Sequence, residues 1–364
     1  MRTALVIGGG GPTGPYVVEG LRARGYRVAV LNRGVHPVEL PGDVERIVGD
    51  PHFLEPLRAA IGTRGFDLVV ASYGRLGIVA EAFAGRTERF IGVGGFVGYR
   101  GFYAPETTRP SGLPIPTPEE WPLVTDPAEH KFAALVAAAE AAVLRHHPAA
   151  TLFRYPYVYG PRQLVPREWS VVRRVLDGRR AIVLINGGMG LLTHGYAENI
   201  AHAVMLAVDQ PAIAAGKAYN VGDEVQLDLR QFVELAGDAL GVTLEIASVP
   251  DTPATRSAAL APLTDHKLMD IHRIRAELGY RDVVPTIEAV QRTVRWYRDH
   301  PLERGGEIER RMLDVFDYAA EDRLIALARD FAAQAGAVQV TPMDDAHPYA
   351  HPKTAGTTRD HRGR

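Results

Sequence analysis

The residues best suited to chemistry stand close to the start of the chain. Gly8-Gly9-Gly10-Gly11-Pro12-Thr13-Gly14 follows the apolar run Thr3-Ala4-Leu5-Val6-Ile7. It precedes a segment, Tyr16 to Gly25, whose Val17, Val18 and Leu21 share one helical face. Strand, tight turn and helix in that order, with glycines at 8, 11 and 14, suit a pyrophosphate. Gly8 permits the turn, Gly11 lets backbone approach the phosphates, and Gly14 lets helix pack closely on strand. The helix N-terminus then offers free N–H groups and the positive end of its dipole. A purely steric glycine turn is the competing reading; the setting between strand and helix favours dinucleotide binding.

Further strand ends would complete such a site. Arg27 to Leu31 reads as a second strand ending at Asn32-Arg33-Gly34. A carboxylate there would hold the ribose hydroxyls of NAD, but a guanidinium suits a 2′-phosphate, so NADP is expected rather than NAD. A solvated surface arginine is the alternative for Arg33. A third strand, Val44 to Val48, ends at Gly49-Asp50-Pro51, where Asp50 either accepts from an adenine amino group or caps a helix from His52 to Ile61. Asp67 to Ala71 runs into Ser72-Tyr73-Gly74, and Arg89 to Val93 into Gly94-Gly95-Phe96-Val97-Gly98-Tyr99. A sixth strand, Ala150 to Arg154, leads into Tyr155-Pro156-Tyr157-Val158-Tyr159-Gly160-Pro161. Alternating strands and helices imply an α/β protein with a Rossmann-type, doubly wound parallel sheet, whose ligands sit at the carboxyl ends of strands. The expected nucleotide contacts are Gly8, Gly11, Pro12, Thr13, Gly14, Asn32, Arg33, Gly49, Asp50, Ser72, Tyr73, Tyr155, Pro156 and Val158.

The chain resembles the extended short-chain dehydrogenase/reductase superfamily, the NAD(P)-dependent epimerase/dehydratase group. The matching pieces are Gly8-x-x-Gly11-x-x-Gly14, Gly49-Asp50, Arg154-x-Pro156-x-Val158-Tyr159-Gly160-Pro161, Glu198-Asn199-Ile200-Ala201, Tyr219-Asn220-Val221-Gly222, Leu278-Gly279-Tyr280 and the segment Val294 to Tyr297. They fall in the family's order over roughly the first 300 residues. The resemblance implies a nicotinamide cofactor, an oxidoreductase-type enzyme and a small-molecule substrate.

The departures concern the proton. The family carries a Tyr-x-x-x-Lys pair on the helix after the fifth strand; the tyrosine exchanges a proton with substrate oxygen and the lysine lowers its pKa. Here the best register reads Phe132-x-x-x-Val136-x-x-x-Glu140, with Glu140 at the family's following glutamate. A rival register places Lys131 at the lysine and Pro127 at the tyrosine. The family's Ser or Thr at the end of strand five is replaced as well, with Gly95 four residues before Tyr99. Loss of a general acid costs about 10² to 10⁴ in rate. Tyr157, Tyr99 and His130 are the candidate substitutes, each also readable as a pocket wall or a solvated position. Phe132 is expected beside the nicotinamide as an apolar wall. Two alternatives to an oxidoreductase stand: a non-redox isomerase, lyase or dehydratase, and a non-catalytic NADP(H)-binding sensor.

The elements that must position these residues divide the chain. Residues 1–165 form the nucleotide-binding part, with 191–224 returning to it. Residues 166–190 and 225–300 cover the substrate, and 301–364 form an extension and tail. Tyr103 to Pro127 reads as a proline-rich loop, either a flap or a rigid spacer. The alanine-rich segment Ala128 to His146 reads as a helix that another subunit could approach, so a homodimer is expected. Asp265 to Leu278, Glu307 to Tyr318 and Glu321 to Ala335 read as helices. An aromatic rim (Tyr73, Phe96, Tyr99, Phe102, Tyr103, Trp121, Tyr157) suits a hydrophobic or aromatic carbonyl or hydroxy compound. A formal net charge of -2 gives no nucleic-acid footprint. The absence of cysteine excludes disulfides and thiol chemistry and fits a cytoplasmic setting. The N-terminal strand leaves no room for a leader, and no apolar run reaches membrane-spanning length. The tail holds His347, His351, His361, Asp344 and Asp345 without metal-ligand spacing, so no metal is expected.

Overall fold

Apolar, β-branched runs separated by glycine turns and amphipathic helices give a layered α/β protein. The structure is a computed structural model and describes residues 1–35, 39–72, 75–261 and 263–341. The first half runs β1 (Thr3–Ile7), α1 (Gly14–Ala23), β2 (Arg27–Asn32), β3 (Glu45–Val48), α2 (Leu54–Ile61), β4 (Phe66–Ala71), α3 (Leu76–Ala82), β5 (Thr87–Gly95), α4 (Lys131–His146) and β6 (Thr151–Tyr155). There follow β7 (Tyr157–Tyr159), α5 (Arg167–Leu176), β8 (Ala181–Ile185), β9 (His194–Tyr196), α6 (Ala197–Asp209), α7 (Pro211–Ala214) and β10 (Ala218–Asn220). The remainder is α8 (Leu229–Leu240), β11 (Glu245–Val249), α9 (Pro253–Ala258), α10 (His272–Leu278), α11 (Thr286–Asp299), α12 (Glu307–Arg311) and α13 (Tyr318–Gly336).

The central sheet has seven strands in the order β3-β2-β1-β4-β5-β6-β10, and every pair is parallel. Its central strands are apolar on both faces, as burial under two helical layers requires. On one face Val17, Val18 and Leu21 of α1 pack with Ile200, Val204 and Val208 of α6. On the other, Leu57 and Ile61 of α2, Val79 of α3 and Val143 of α4 do the same. The strand order reverses between β1 and β4, so the end of β1, which carries the glycine turn, is the topological switch point where such sheets bind ligands.

A smaller lobe is built on the parallel pair β8 with β11, and a second parallel pair, β7 with β9, packs Val158 on the sheet core and Tyr159 and Tyr196 on the core of the lobe. Trp169 and Val172 of α5, Val233 of α8 and Val290 and Val294 of α11 form its core. The C-terminal extension is part of this lobe: Ile325 of α13 packs on Val183, Ile185, Ala247 and Val249. Arg174, 2 % exposed, holds it through Asp314 (2.6 Å) and Glu321 (2.5 Å).

Three segments differ from their sequence patterns. Residues 265–271 form no helix, and the helix there begins only at His272. Lys267 and Met269 bridge to Leu192 and Thr117, so their backbone groups are committed to neighbouring chain. The helix expected over Glu307 to Tyr318 ends at Arg311, because Asp314 turns away to meet Arg174. The loop from Tyr103 to Pro127 is laced to the body rather than hanging over it. Thr117, fully buried, donates its N–H to Leu268 O and accepts at its carbonyl from Asn220 Nδ2, and Glu119 accepts from Asn220 N at 3.0 Å.

Candidate functional site

The glycine turn is shaped by two different demands. Gly8 has φ +94°, which favours glycine, and its carbonyl accepts from Gly11 N at 3.1 Å. At Gly14 an added Cβ would lie 2.2 Å from Gly9 O, so α1 can approach the turn only with glycine there. Gly11 answers no such demand: its Cβ would meet only Gly8 O, at 3.6 Å. The protein leaves that side open, as a backbone approached by a phosphate requires. Tyr155, at the end of β6, supplies a second sign. Its hydroxyl is buried with no well-formed hydrogen bond, only the Thr13 hydroxyl lying close enough to interact, and burial pushes the phenol pKa up. Buried polar groups are ordinarily satisfied, so an under-satisfied hydroxyl next to the nucleotide turn fits a ligand group missing from the protein alone. Both observations fit a dinucleotide.

The other expected contacts lie along the same sheet edge. Asn32 Oδ1 accepts from Gly34 N (2.9 Å), turning the chain after β2. Arg33 follows it, close enough to Asp50 to help hold that carboxyl below its ordinary range; hydrogen bonds from His52 are the larger cause. Asp50 accepts from His52 N (3.0 Å) and His52 Nδ1 (2.7 Å). It therefore orders the loop before α2, whose first residue is Leu54, and does not cap that helix. Gly49 is sterically required, since its Cβ would fall 2.4 Å from Ala60 Cβ. Ser72 ties β4 to β1 through Ile7 O. Pro156 abuts Gly195, Val158 is buried, and Pro12 is half-buried in the turn. Tyr73, and the tail residues Asp344, Asp345, His347, His351 and His361, lie outside the described residues.

The three candidate proton donors are all engaged elsewhere. Tyr99 is fully buried; its hydroxyl donates to Asn220 Oδ1 (2.7 Å) and accepts from Arg154 Nη1 (2.8 Å). Burial pushes its pKa up to about 12, against the pull of Arg154. Arg154 also donates to Glu140 (2.9 Å) and to Glu119 O (2.8 Å), and Gly94 makes room for Glu140, whose Oε1 lies 2.4 Å from the Cβ an alanine would add. This Arg154–Glu140–Tyr99–Asn220 network joins β6, β10, α4 and the loop that follows β5. Its members were visible as motif residues, but their mutual contact was not. Tyr157 donates to Val165 O (2.9 Å), accepts from Arg167 N (2.8 Å) and lies under the Arg167 guanidinium. His130 is the N-cap of α4, with Nδ1 accepting from Ala133 N at 3.3 Å, and its ring stacks on Tyr103 at 4.1 Å.

The face Phe132-Val136-Glu140 does look toward β5 and the loop after it: Val136 lies against Gly98, as Glu140 does against Gly94. Phe132, at the top of this face, is 53 % exposed and meets Tyr103 edge-on at 6.3 Å. Lys131 is exposed. The expected aromatic rim splits in two. Phe96, Tyr99 and Phe102 are buried in a cluster with Leu113, Leu192 and Met269, whereas Tyr103, His130 and Phe132 form an accessible trio above α4. Asn199 emerges as structural: it binds Asp223, Val283, Val284 and so ties α6 to the smaller lobe.

The sheet order, the glycine turn and its open side define a Rossmann-type nucleotide-binding α/β protein. The family described as NAD dependent epimerase/dehydratase matches residues 110–222. An uncharacterized protein of Escherichia coli (strain K12), YbjS, is 28 % identical over 173 residues, 41 % of this chain and 50 % of that protein, so this match spans half the relative's length. A Streptomyces protein named 3-diazoavenalumate denitrifying reductase is 27 % identical over 309 residues, covering 78 % of this chain and 96 % of that one. Among solved structures, the Bordetella bronchiseptica enzyme WbmH in complex with NAD+ superposes with a TM-score of 0.66 at 18 % identity, over 83 % of this chain and 100 % of that chain. The resemblance read from the motifs is matched by that family over residues 110–222, and the similar proteins carry the names of reductases and dehydratases. No helix among the described residues is long and apolar enough to cross a membrane.

Proposed function

We propose that the protein is an NADP-dependent reductase acting on a small hydrophobic or aromatic compound without a tyrosine proton donor. One observation carries this. The nucleotide cradle is kept open at Gly11 and Tyr155, while Tyr99 and Tyr157 spend their hydroxyls on hydrogen bonds within the protein. A nicotinamide bound there would supply or take a hydride at carbon. The chain's own part is to hold the nucleotide at the turn, to meet the 2′-phosphate with Arg33, and to offer the Tyr103–His130–Phe132 trio as stacking surface. The proton then comes from solvent. The reductase name borne by the Streptomyces relative supports the redox reading over isomerase or lyase chemistry. A homodimer formed through the alanine-rich face of α4 belongs to the same proposal, and sedimentation of the purified protein tests it.

The decisive experiment follows the reduced-nicotinamide absorbance when the protein, NADPH and candidate aromatic substrates are mixed. Consumption supports a reductase. Turnover without consumption supports a non-redox enzyme, and binding without turnover a sensor. For the cofactor, Arg33→Ala should weaken NADPH by about 1.5–3 kcal/mol, as for a hydrogen bond to a charged group, and leave NADH almost unchanged. Equal wild-type affinity for NADH and NADPH would refute the choice of NADP.

A further inference from the structure

The smaller lobe contains a carboxylate that the nucleotide site does not use. Glu168 stands in the first turn of α5 and is 1 % exposed. Its Oε2 is buried with no hydrogen-bond partner. The other buried carboxylates of this lobe are fully supplied. Glu309 takes Trp169 Nε1 and Arg173, Glu321 takes Arg174, and Asp223 takes Tyr159, Asn199 and Tyr196 N. Glu168 is the exception.

Beside it lies a small cavity walled by Leu227, Phe232 and Val290, with Tyr159 and His194 on its polar side. Its free space, about 20 Å³, admits one water or a group of similar size. Val225, which is exposed, forms part of the wall, so solvent is one side chain away. The described side chains that line it leave no free donor. Tyr159 donates to Asp223 and Thr286 to Val225 O. Arg167, the adjacent cation, is laid on the Tyr157 ring and makes no ion pair with Glu168. His194 is neutral, because burial and Arg167 pull its pKa down to about 3, and its one N–H is directed to Leu192 O.

We infer that the Glu168 cavity binds a compact hydrogen-bond-donating cation, a primary ammonium group, with the Glu168 carboxylate as its counter-ion. A buried carboxylate is costly unless paired. The cavity is too small for a guanidinium and its apolar walls cannot donate. Size and charge together select an ammonium head, free or at the end of an amine that enters past Val225. The inference is independent of the nucleotide reading.

The test uses the full-length protein at pH 8 and constant ionic strength, titrated with methylammonium chloride and, separately, tetramethylammonium chloride. The expected result is a saturable rise in melting temperature with methylammonium and none with tetramethylammonium, which is too large and has no N–H. In Glu168→Gln the affinity should fall at least about tenfold, the loss expected when a charge-assisted bond becomes a neutral one. Equal responses to the two salts, no response in the wild type, or full affinity in Glu168→Gln would each overturn the inference. If Glu168→Gln does not fold, the carboxyl carbon of Glu168 can be followed by NMR in the wild type. Methylammonium should then shift its titration at least one pH unit lower, and an unmoved titration overturns the site.

Discussion

Replacing Glu140 by alanine tests whether the Arg154 network is a closed structural unit or a reserve of catalytic groups. Arg154 is 6 % exposed and Glu140 3 %. Arg154 donates through Nε to both Glu140 oxygens (3.2 and 3.1 Å) and through Nη2 to Oε2 (2.9 Å), and its remaining bonds reach Tyr99 and Glu119 O. Glu140→Ala removes every carboxylate bond and leaves a guanidinium buried against two neutral acceptors. Breaking one side of a buried pair costs about 3–5 kcal/mol, and this geometry belongs at the lower end, because Glu140 and Arg154 both line a pocket of about 370 Å³ through which water can reach the guanidinium. The assay is urea unfolding, with the slope checked so that only the midpoint carries the change. Tyr99→Phe should cost less, about 1–3 kcal/mol, for the acceptor lost to Arg154 and the donor lost to Asn220. Its turnover, measured well below the melting transition, should stay within a few-fold of wild type. A Glu140→Ala cost below about 1 kcal/mol would mean that water replaces the carboxylate in full. A drop of about 10²-fold in Tyr99→Phe turnover would make Tyr99 a proton donor after all.

The remaining expectations concern the turn, the second tyrosine and pH. Gly11→Ala should fold normally and lose nucleotide affinity, whereas Gly14→Ala, with a Cβ 2.2 Å from Gly9 O, should lower the melting temperature first; the reverse order would show that the open side of the turn is not the phosphate side. Tyr157→Phe should destabilise the lobe, through the loss of the Val165 and Arg167 bonds, more than it slows turnover; a loss of about 10²-fold or more in turnover at unchanged stability would contradict this. Burial, with Asp282 nearby, raises the Asp223 carboxyl from 3.8 to about 7. The stability it contributes is therefore fully present below about pH 4 and is lost, on the order of 4 kcal/mol, as pH rises through about 7. Urea midpoints measured from pH 4 to 8 should fall across that window, and Asp223→Asn should flatten the slope.

The parts legible in the sequence are those set by local spacing. The glycines at 8 and 14 follow from a strand, turn and helix within a dozen residues, and the structure requires them sterically at those positions. Alternation of apolar strands with amphipathic helices likewise dictates a parallel sheet, since short connections leave few other topologies. Residues 265–271 read as helix because the amphipathic pattern of His272 to Leu278 continues back through Leu268 and Ile271. Their backbone partners, Thr117, Leu191 and Thr193, come from distant chain and cannot be seen in a local window. The same holds for the donors. A tyrosine at a strand end looks available until Asn220, 121 positions further on, accepts its hydrogen bond. Glu168 shows the converse. Pro166-Arg167-Glu168 reads as an ordinary solvated helix start, with an acid suited to the helix dipole. Only the packing of β7, β9 and α11 around it buries the carboxylate and withholds a partner. Spacing therefore identifies where a ligand's phosphates meet the backbone, because that contact is made by consecutive residues. Which side chains remain free to do chemistry depends on partners far apart in sequence, and here those partners take up the hydroxyls and leave one carboxylate unpaired.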